Sequence, residues 1–266
     1  MRQTDRRATL AASALLFIFL LAGSVAARAE DIVVVSSGGF SEAYKKLGPV
    51  FEAKTGNRLV SKWGPSMGKT VDAVPQRIAR GEDIDVLIMV GYAMDELVKQ
   101  GKVIPNSRTA LAGAAIGMAV KAGAPVPDIS TVDALRRTML AAKSIAYSDS
   151  ASGVYIEAEM LAKLGIADAV KAKSKMIPAE PVAMGVARGE SEIGFQTISE
   201  LLPIPGVTIV GPVPDDVQKM TWFAGGVLVG SKHEQAARAL IKYLSATEAA
   251  PVMIESGMVP GAPKPD

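Results

Sequence analysis

The 266-residue chain has no cysteine, and its only histidine is His233. The first absence excludes disulfide staples, thiolate zinc sites, iron–sulfur clusters, cysteine nucleophiles and a lipidated N-terminal cysteine. The second argues against a Ser-His-Asp triad and a polyhistidine metal site. No metal and no cofactor is expected. Aromatic residues are scarce at 5%, whereas 25 glycines and 16 prolines supply many short connections, as in α/β proteins. With 49% hydrophobic residues and no low-complexity tract, the length suits one large core or two lobes.

An excess charge of either sign is also lacking once residues 1–29 are set aside. Arg2, Arg6 and Arg7 precede an apolar stretch from Leu10 to Ala22, and Ala27-Arg28-Ala29 stands just before Glu30. A basic start, a short apolar run and an A-x-A site describe a secretory signal peptide, cleaved after Ala29. The uncharged run Ala8–Ala27 would also just span a bilayer as an anchor, but the A-x-A site favours cleavage. Beyond it stand 25 basic and 26 acidic residues, which leave no electrostatic footprint for nucleic acid. A second stretch long enough to span a membrane is absent from the sequence. A soluble, exported protein is expected, and with no oligomer interface legible in the sequence, a monomer.

Strand-like and helix-like segments alternate along the remaining chain. Ile32–Val35 is a continuous apolar run, as a strand buried on both faces requires. A helical pattern follows through Phe40, Ala43, Tyr44, Leu47 and Phe51, closed by Thr55-Gly56. The pattern then predicts a strand over Arg58–Lys62, a helix over Val71–Arg80 and a buried strand over Asp85–Val90. Later strands are predicted at Gly113–Val120, Ser144–Tyr147, Lys175–Ile177, Ile193–Gln196, Val207–Val210 and Gly225–Gly230. Serial βα units imply an α/β fold whose lobes are doubly wound, mostly parallel sheets. Ala79-Arg80-Gly81-Glu82 is echoed by Ala187-Arg188-Gly189-Glu190, each ahead of a strand, which suggests two lobes of similar build. The two arginines read as helix-end residues rather than anion ligands. A discontinuous first lobe (30–112 with 225–266) around an inserted second lobe (113–224) leaves a cleft for a small ligand.

Four segments are candidates to line that cleft. Ser36-Ser37-Gly38-Gly39 joins a strand end to a helix start, where hydroxyls and backbone N–H groups suit an anion. Gly64-Pro65-Ser66-Met67-Gly68-Lys69-Thr70 ends like a phosphate loop, but only three residues separate its glycines, so nucleotide hydrolysis is excluded. Ser66 remains a donor there and Lys69 a charge partner. Ser148-Asp149-Ser150-Ala151-Ser152-Gly153-Val154-Tyr155 mirrors the first segment in the second lobe. The fourth comprises the Pro181–Met184 helix start together with Gln196-Thr197. Matching strand ends in two lobes point to a clamped anionic ligand.

These segments resemble the type II periplasmic binding proteins of ABC importers, in particular the molybdate-binding branch. The likeness runs from IVVVSSGGFSEAYKKLGPVFEAKTG through ARGEDIDVLIMV, YSDSASGVYIEAEMLAKLGI and ARGESEIGFQ to the final helices. It implies a two-lobed fold that captures a small oxyanion or carboxylate for the membrane subunits of an ABC importer. Hydroxyls and backbone amides would hold the ligand, a tyrosine of the second lobe assisting. The family's first serine aligns near Gly39, its backbone contact maps to Val182, and its tyrosine falls near Thr197, beside Gln196. These departures from the family pattern, together with Lys69, point to a larger ligand carrying carboxylates.

The chain is similar also to periplasmic aconitate isomerases, which share that scaffold. This alternative implies gripping a tricarboxylate and moving one proton across an allylic system, work for a positioned acid and base without metal or redox group. Lys69, Tyr155 and Asp149 are the titratable candidates for it. Ser36, Ser37, Gly38, Gly39, Ser66, Met67, Ser150, Ala151, Ser152, Gly153, Val182, Gln196 and Thr197 would line the ligand.

Overall fold

The computed structural model describes residues 29–178 and 180–262, so the stretch expected to be a signal peptide (residues 1–29), Ala29 excepted, lies outside the described residues. The chain opens with β1 (Asp31–Ser36), whose apolar run is buried as the pattern requires. Next comes α1 (Gly38–Thr55), which lays Phe40, Ala43, Tyr44, Leu47 and Phe51 against the core. Its end is Gly56 at φ 75°, the left-handed cap that glycine adopts without strain. After β2 (Arg58–Trp63), helix α2 covers Val74–Ala79, shorter than the Val71–Arg80 predicted. Pro75 explains the late start, because its fixed φ suits the first helical turn. Then come β3 (Val86–Val90) and α3 (Gly91–Lys99).

The strand predicted over Gly113–Val120 is two strands, β4 (Thr109–Ala114) and β5 (Ile116–Lys121), separated by Ala115. The chain continues through α4 (Val132–Ala141), β6 (Ile145–Ser148) and α5 (Ala151–Tyr155), which runs into a π-helical turn at Ile156–Met160. It proceeds to β7 (Ser174–Ile177), α6 (Val182–Arg188), β8 (Ile193–Thr197), α7 (Ile198–Leu201) and β9 (Val207–Pro212). The last elements are β10 (Thr221–Val227), α8 (Glu234–Leu244), α9 (Ala250–Glu255) and β11 (Met258–Pro260).

Two sheets result. One has the order β11-β4-β10-β3-β1-β2, the other β7-β6-β8-β5-β9. Parallel pairing is confined to β1 with β2 and β3, and to β6 with β7 and β8. The sheets are therefore mixed rather than mostly parallel. The physical reason lies in the crossing strands: β10 enters antiparallel to β3 and β4, and β5 antiparallel to β8 and β9. Each sheet carries its own core. Ile32, Val34, Phe40, Leu87, Met94 and Leu240 belong to one, and Ile116, Met118, Leu135, Ile145, Met160 and Phe195 to the other. Each such fully buried side chain contributes about 1.5–3 kcal/mol over an exposed one.

The echoed segments behave alike. Gly81 and Gly189 both take positive φ, 70° and 81°. Arg188 pairs with Glu180 and Glu190, and Arg80 with Glu82, so both arginines are engaged by local carboxylates. What positions a site is the direction of the parallel strands. Strands β1, β3, β6 and β8 deliver Ser36, Val90, Ser148 and Thr197 at their carboxyl ends, where α/β sheets hold ligands. No helix among the described residues is long and apolar enough to cross a membrane.

Candidate functional site

The loop after β1 begins with Ser36 and Ser37, both buried. Ser37 is the N-cap residue of α1, yet its hydroxyl makes no capping bond and has no hydrogen-bond partner among the described residues. A buried hydroxyl left in that state costs about 1–3 kcal/mol, which a polar ligand would offset. Gly38 is exposed. Gly39 is buried beneath the Phe223 ring, which leaves no room for a side chain, since an ideal Cβ would lie 2.2 Å from it. In the neighbouring loop Ser66 is buried and accepts the Val90 N–H at 3.0 Å, which leaves its own proton to donate. Met67 packs against the first core, while Lys69 is exposed on the same loop.

The second sheet supplies a denser hydroxyl group. Ser148 Oγ stands 2.7 Å from Ser150 Oγ and 3.2 Å from Ser152 Oγ, and the latter two are 3.3 Å apart. Three mutually bonded hydroxyls can turn their protons toward an incoming anion. The triangle exists because α5 starts directly over the end of β6. Gly153 makes that approach feasible, since an ideal Cβ would lie 1.6 Å from the Ser148 carbonyl oxygen. Ala151, at the start of α5, packs against the first core, so the two halves meet at this point. Asp149 is exposed between the serines.

Several predicted residues are occupied otherwise. Tyr155 is buried in the second core, and its hydroxyl donates to the Val217 carbonyl at 2.9 Å. It is not brought to the hydroxyls, because one further turn of α5 directs it inward. The Val182 N–H, assigned to a ligand by the family pattern, donates to Gln196 Oε1 at 2.9 Å. Both groups are thereby engaged with each other inside the protein. The Thr197 hydroxyl donates to Glu200 Oε2 at 2.6 Å and lies 3.2 Å from Ser199 Oγ.

Glu200 is the residue that the sequence reading missed. It sits on α7, which packs across onto α1. A Cβ built on Gly38 would stand only 2.7 Å from Glu200 Oε1, so the carboxyl group reaches the start of α1 over a glycine. Burial pushes this carboxyl above the usual carboxylate range, and the charge of Asp149 adds to the effect. Hydrogen bonds from Thr197 and Gln196 oppose it. Thr197-Ile198-Ser199-Glu200 has the spacing of a helix capping box, a signal that marks Glu200 but assigns it a local task. The box is not closed: Thr197 bonds the Glu200 carboxyl group instead of a backbone N–H.

A surface groove of about 880 Å³ lies elsewhere, between residues 126–133 and 210–216. Its charged lining residues are Asp128, Asp133, Asp215 and Asp216, which suit no anion. Among the described residues no group of three or more acidic or histidine side chains is placed to hold a metal ion.

Two mixed α/β sheets, each with hydroxyl-bearing strand ends, define a two-lobed binding protein. The chain belongs to the bacterial extracellular solute-binding proteins, whose family model matches residues 32–259. It is 46% identical over 234 residues to an aconitate isomerase from a Pseudomonas species, covering 88% of this chain and 89% of that protein. A molybdate-binding protein, ModA of Azotobacter vinelandii, is 28% identical over 235 residues, or 86% of this chain and 89% of the other. The solved periplasmic molybdate-binding protein of Azotobacter vinelandii matches with a TM-score of 0.70 at 19% identity. It covers 88% of this chain and all of that one, and shares the fold.

Proposed function

We propose that this chain binds a small tricarboxylate between its two lobes and interconverts cis- and trans-aconitate in the periplasm. The lobes follow the two sheets, with the crossing at Ala115 and the return ahead of Thr221. The observation that carries the reading is a buried carboxyl side chain that reaches from β8 and α7 to the hydroxyl-bearing start of α1. Glu200 Oε1 lies against Gly38, one residue from the unpartnered Ser37 hydroxyl, its Oε2 takes the Thr197 hydroxyl, and the charge of Asp149, set between Ser148 and Ser150 of the hydroxyl triangle, acts on it. Neutral hydroxyls suit carboxylates, whereas a carboxyl group in the cleft suits proton transfer better than simple capture of a dianion. The Pseudomonas relative supports the substrate class. Lys69, on its exposed loop, supplies positive charge to a multiply charged ligand.

A second reading, solute capture for the membrane subunits of an ABC importer, is favoured by the family match and the molybdate-binding relatives. Such capture rests on differential affinity between open and closed lobes. Calorimetric titration of the mature protein separates the ligands. Trans-aconitate is expected to bind and molybdate to give no heat. Replacing Ser150 and Ser152 together with alanine should weaken trans-aconitate by about 10²- to 10⁴-fold, since hydrogen bonds to a charged ligand contribute about 1.5–3 kcal/mol each. Tight molybdate binding with silence toward aconitate would contradict the proposal.

A further inference from the structure

Resting on the isomerase reading, we infer that Glu200 carries the proton: its carboxylate removes one from the methylene carbon of bound aconitate and returns it to the former vinyl carbon. The methylene C–H bond breaks, and its electron pair spreads over the allylic carbons and the attached carboxylates. A new C–H bond then forms at the far end of the allylic system. Rotation within that system before the proton returns, or delivery to the other end, exchanges the cis and trans forms. Glu200 ends ionised as it began, and the substrate is neither oxidised nor reduced.

Geometry selects this residue over the others. Oε2 is fixed by the Thr197 hydroxyl at 2.6 Å, which leaves Oε1 as the oxygen against the start of α1. That is where the orphaned Ser37 hydroxyl lies one residue from Gly38. Tyr155 is bonded to Val217, and its hydroxyl also takes a Lys163 hydrogen bond at 3.3 Å. Lys69 and Asp149 are exposed.

The groups facing Glu200 are few. From the β6–α5 connection comes the charge of Asp149, and from β8 come the neutral Gln196 and Thr197. From α1 come two glycines and the positive end of an 18-residue helix. Burial and Asp149 raise the affinity of the carboxylate for a proton, which strengthens it as a base toward carbon.

The test is Glu200→Gln, which keeps the size and the acceptor for Thr197. Isomerisation by the variant should fall by about 10²-fold or more in kcat, while its Kd for trans-aconitate stays within about threefold. Because the base is the ionised form, wild-type kcat should rise with pH through the elevated Glu200 ionisation, a limb that the variant lacks. Wild-type conversion with a variant kcat within about threefold overturns this role alone. Wild-type binding without conversion overturns the isomerase reading and this role together. If melting shows that Glu200→Gln does not fold, Glu200→Asp decides: a reduced rate is expected, and an unchanged rate with an unchanged pH profile refutes the role.

Discussion

Gly153→Ala is expected to lower the unfolding free energy by about 3 kcal/mol and to weaken ligand binding with it. The cause is not backbone conformation, since Gly153 is helical and lies outside the positive-φ glycines. It is room. An ideal Cβ would lie 1.6 Å from Ser148 O, 2.6 Å from its carbonyl carbon and 2.9 Å from its nitrogen. These are backbone atoms of a buried strand end, so α5 must move as a unit. Movement there takes Ser150 and Ser152 away from Ser148 and opens the hydroxyl triangle. Gly185→Ala is the matched control, because its Cβ would meet Glu190 Oε2 at an ordinary 3.5 Å. That change should be neutral or stabilise by up to about 1 kcal/mol, as alanine favours a helix interior. Denaturant titration of both variants reads the difference. Equal stability would show that the α5–β6 contact is looser than described.

Asp85→Ala should be at least as damaging, by about 3–4 kcal/mol. Asp85 is buried at the entry to β3, where Oδ2 accepts the Val33 N–H at 2.8 Å and Oδ1 accepts the Ser231 hydroxyl at 2.6 Å. Its backbone N–H donates to Val33 O, and its carbonyl accepts the Leu228 N–H. One side chain thus ties β1, β3 and the segment following β10 into a single sheet. Alanine leaves two donors without partners. Asparagine keeps an acceptor for Val33 and can donate to Ser231 Oγ, so Asp85→Asn should cost less than half as much. Thermal or denaturant unfolding of the pair checks the ranking. Equal losses would mean that the charge, rather than the bonding pattern, holds the sheet.

Much of the fold was legible in the sequence because its signals are local. The apolar runs Ile32–Val35 and Asp85–Val90 have no amphipathic alternative, and Gly56, Gly81 and Gly189 mark helix ends by their freedom at positive φ. The break at Ala115 was not legible, since Gly113–Val120 stays apolar through it and only pairing partners divide it between sheets. The hydroxyl loops could be found from strand ends followed by serine and glycine. Glu200 could not, because a glutamate in the first turn of a helix reads as ordinary capping. Its place against the start of α1 depends on α7 crossing onto that helix, a contact between segments far apart in the chain. The inward direction of Tyr155 was not legible for the converse reason. The residue follows the hydroxyl triangle in the chain, but helical rotation from Ser152 to Tyr155 turns it into the second core.

The central claim is tested most directly by proton NMR of the purified mature protein with trans-aconitate in buffered D2O, beside protein-free and heat-denatured controls. The account predicts the appearance of cis-aconitate, with deuterium entering the methylene position as the proton on the catalytic carboxyl group exchanges with solvent. Trans-aconitate that is bound, as seen by line broadening, yet remains unconverted and undeuterated would contradict it and leave a protein that only captures its ligand.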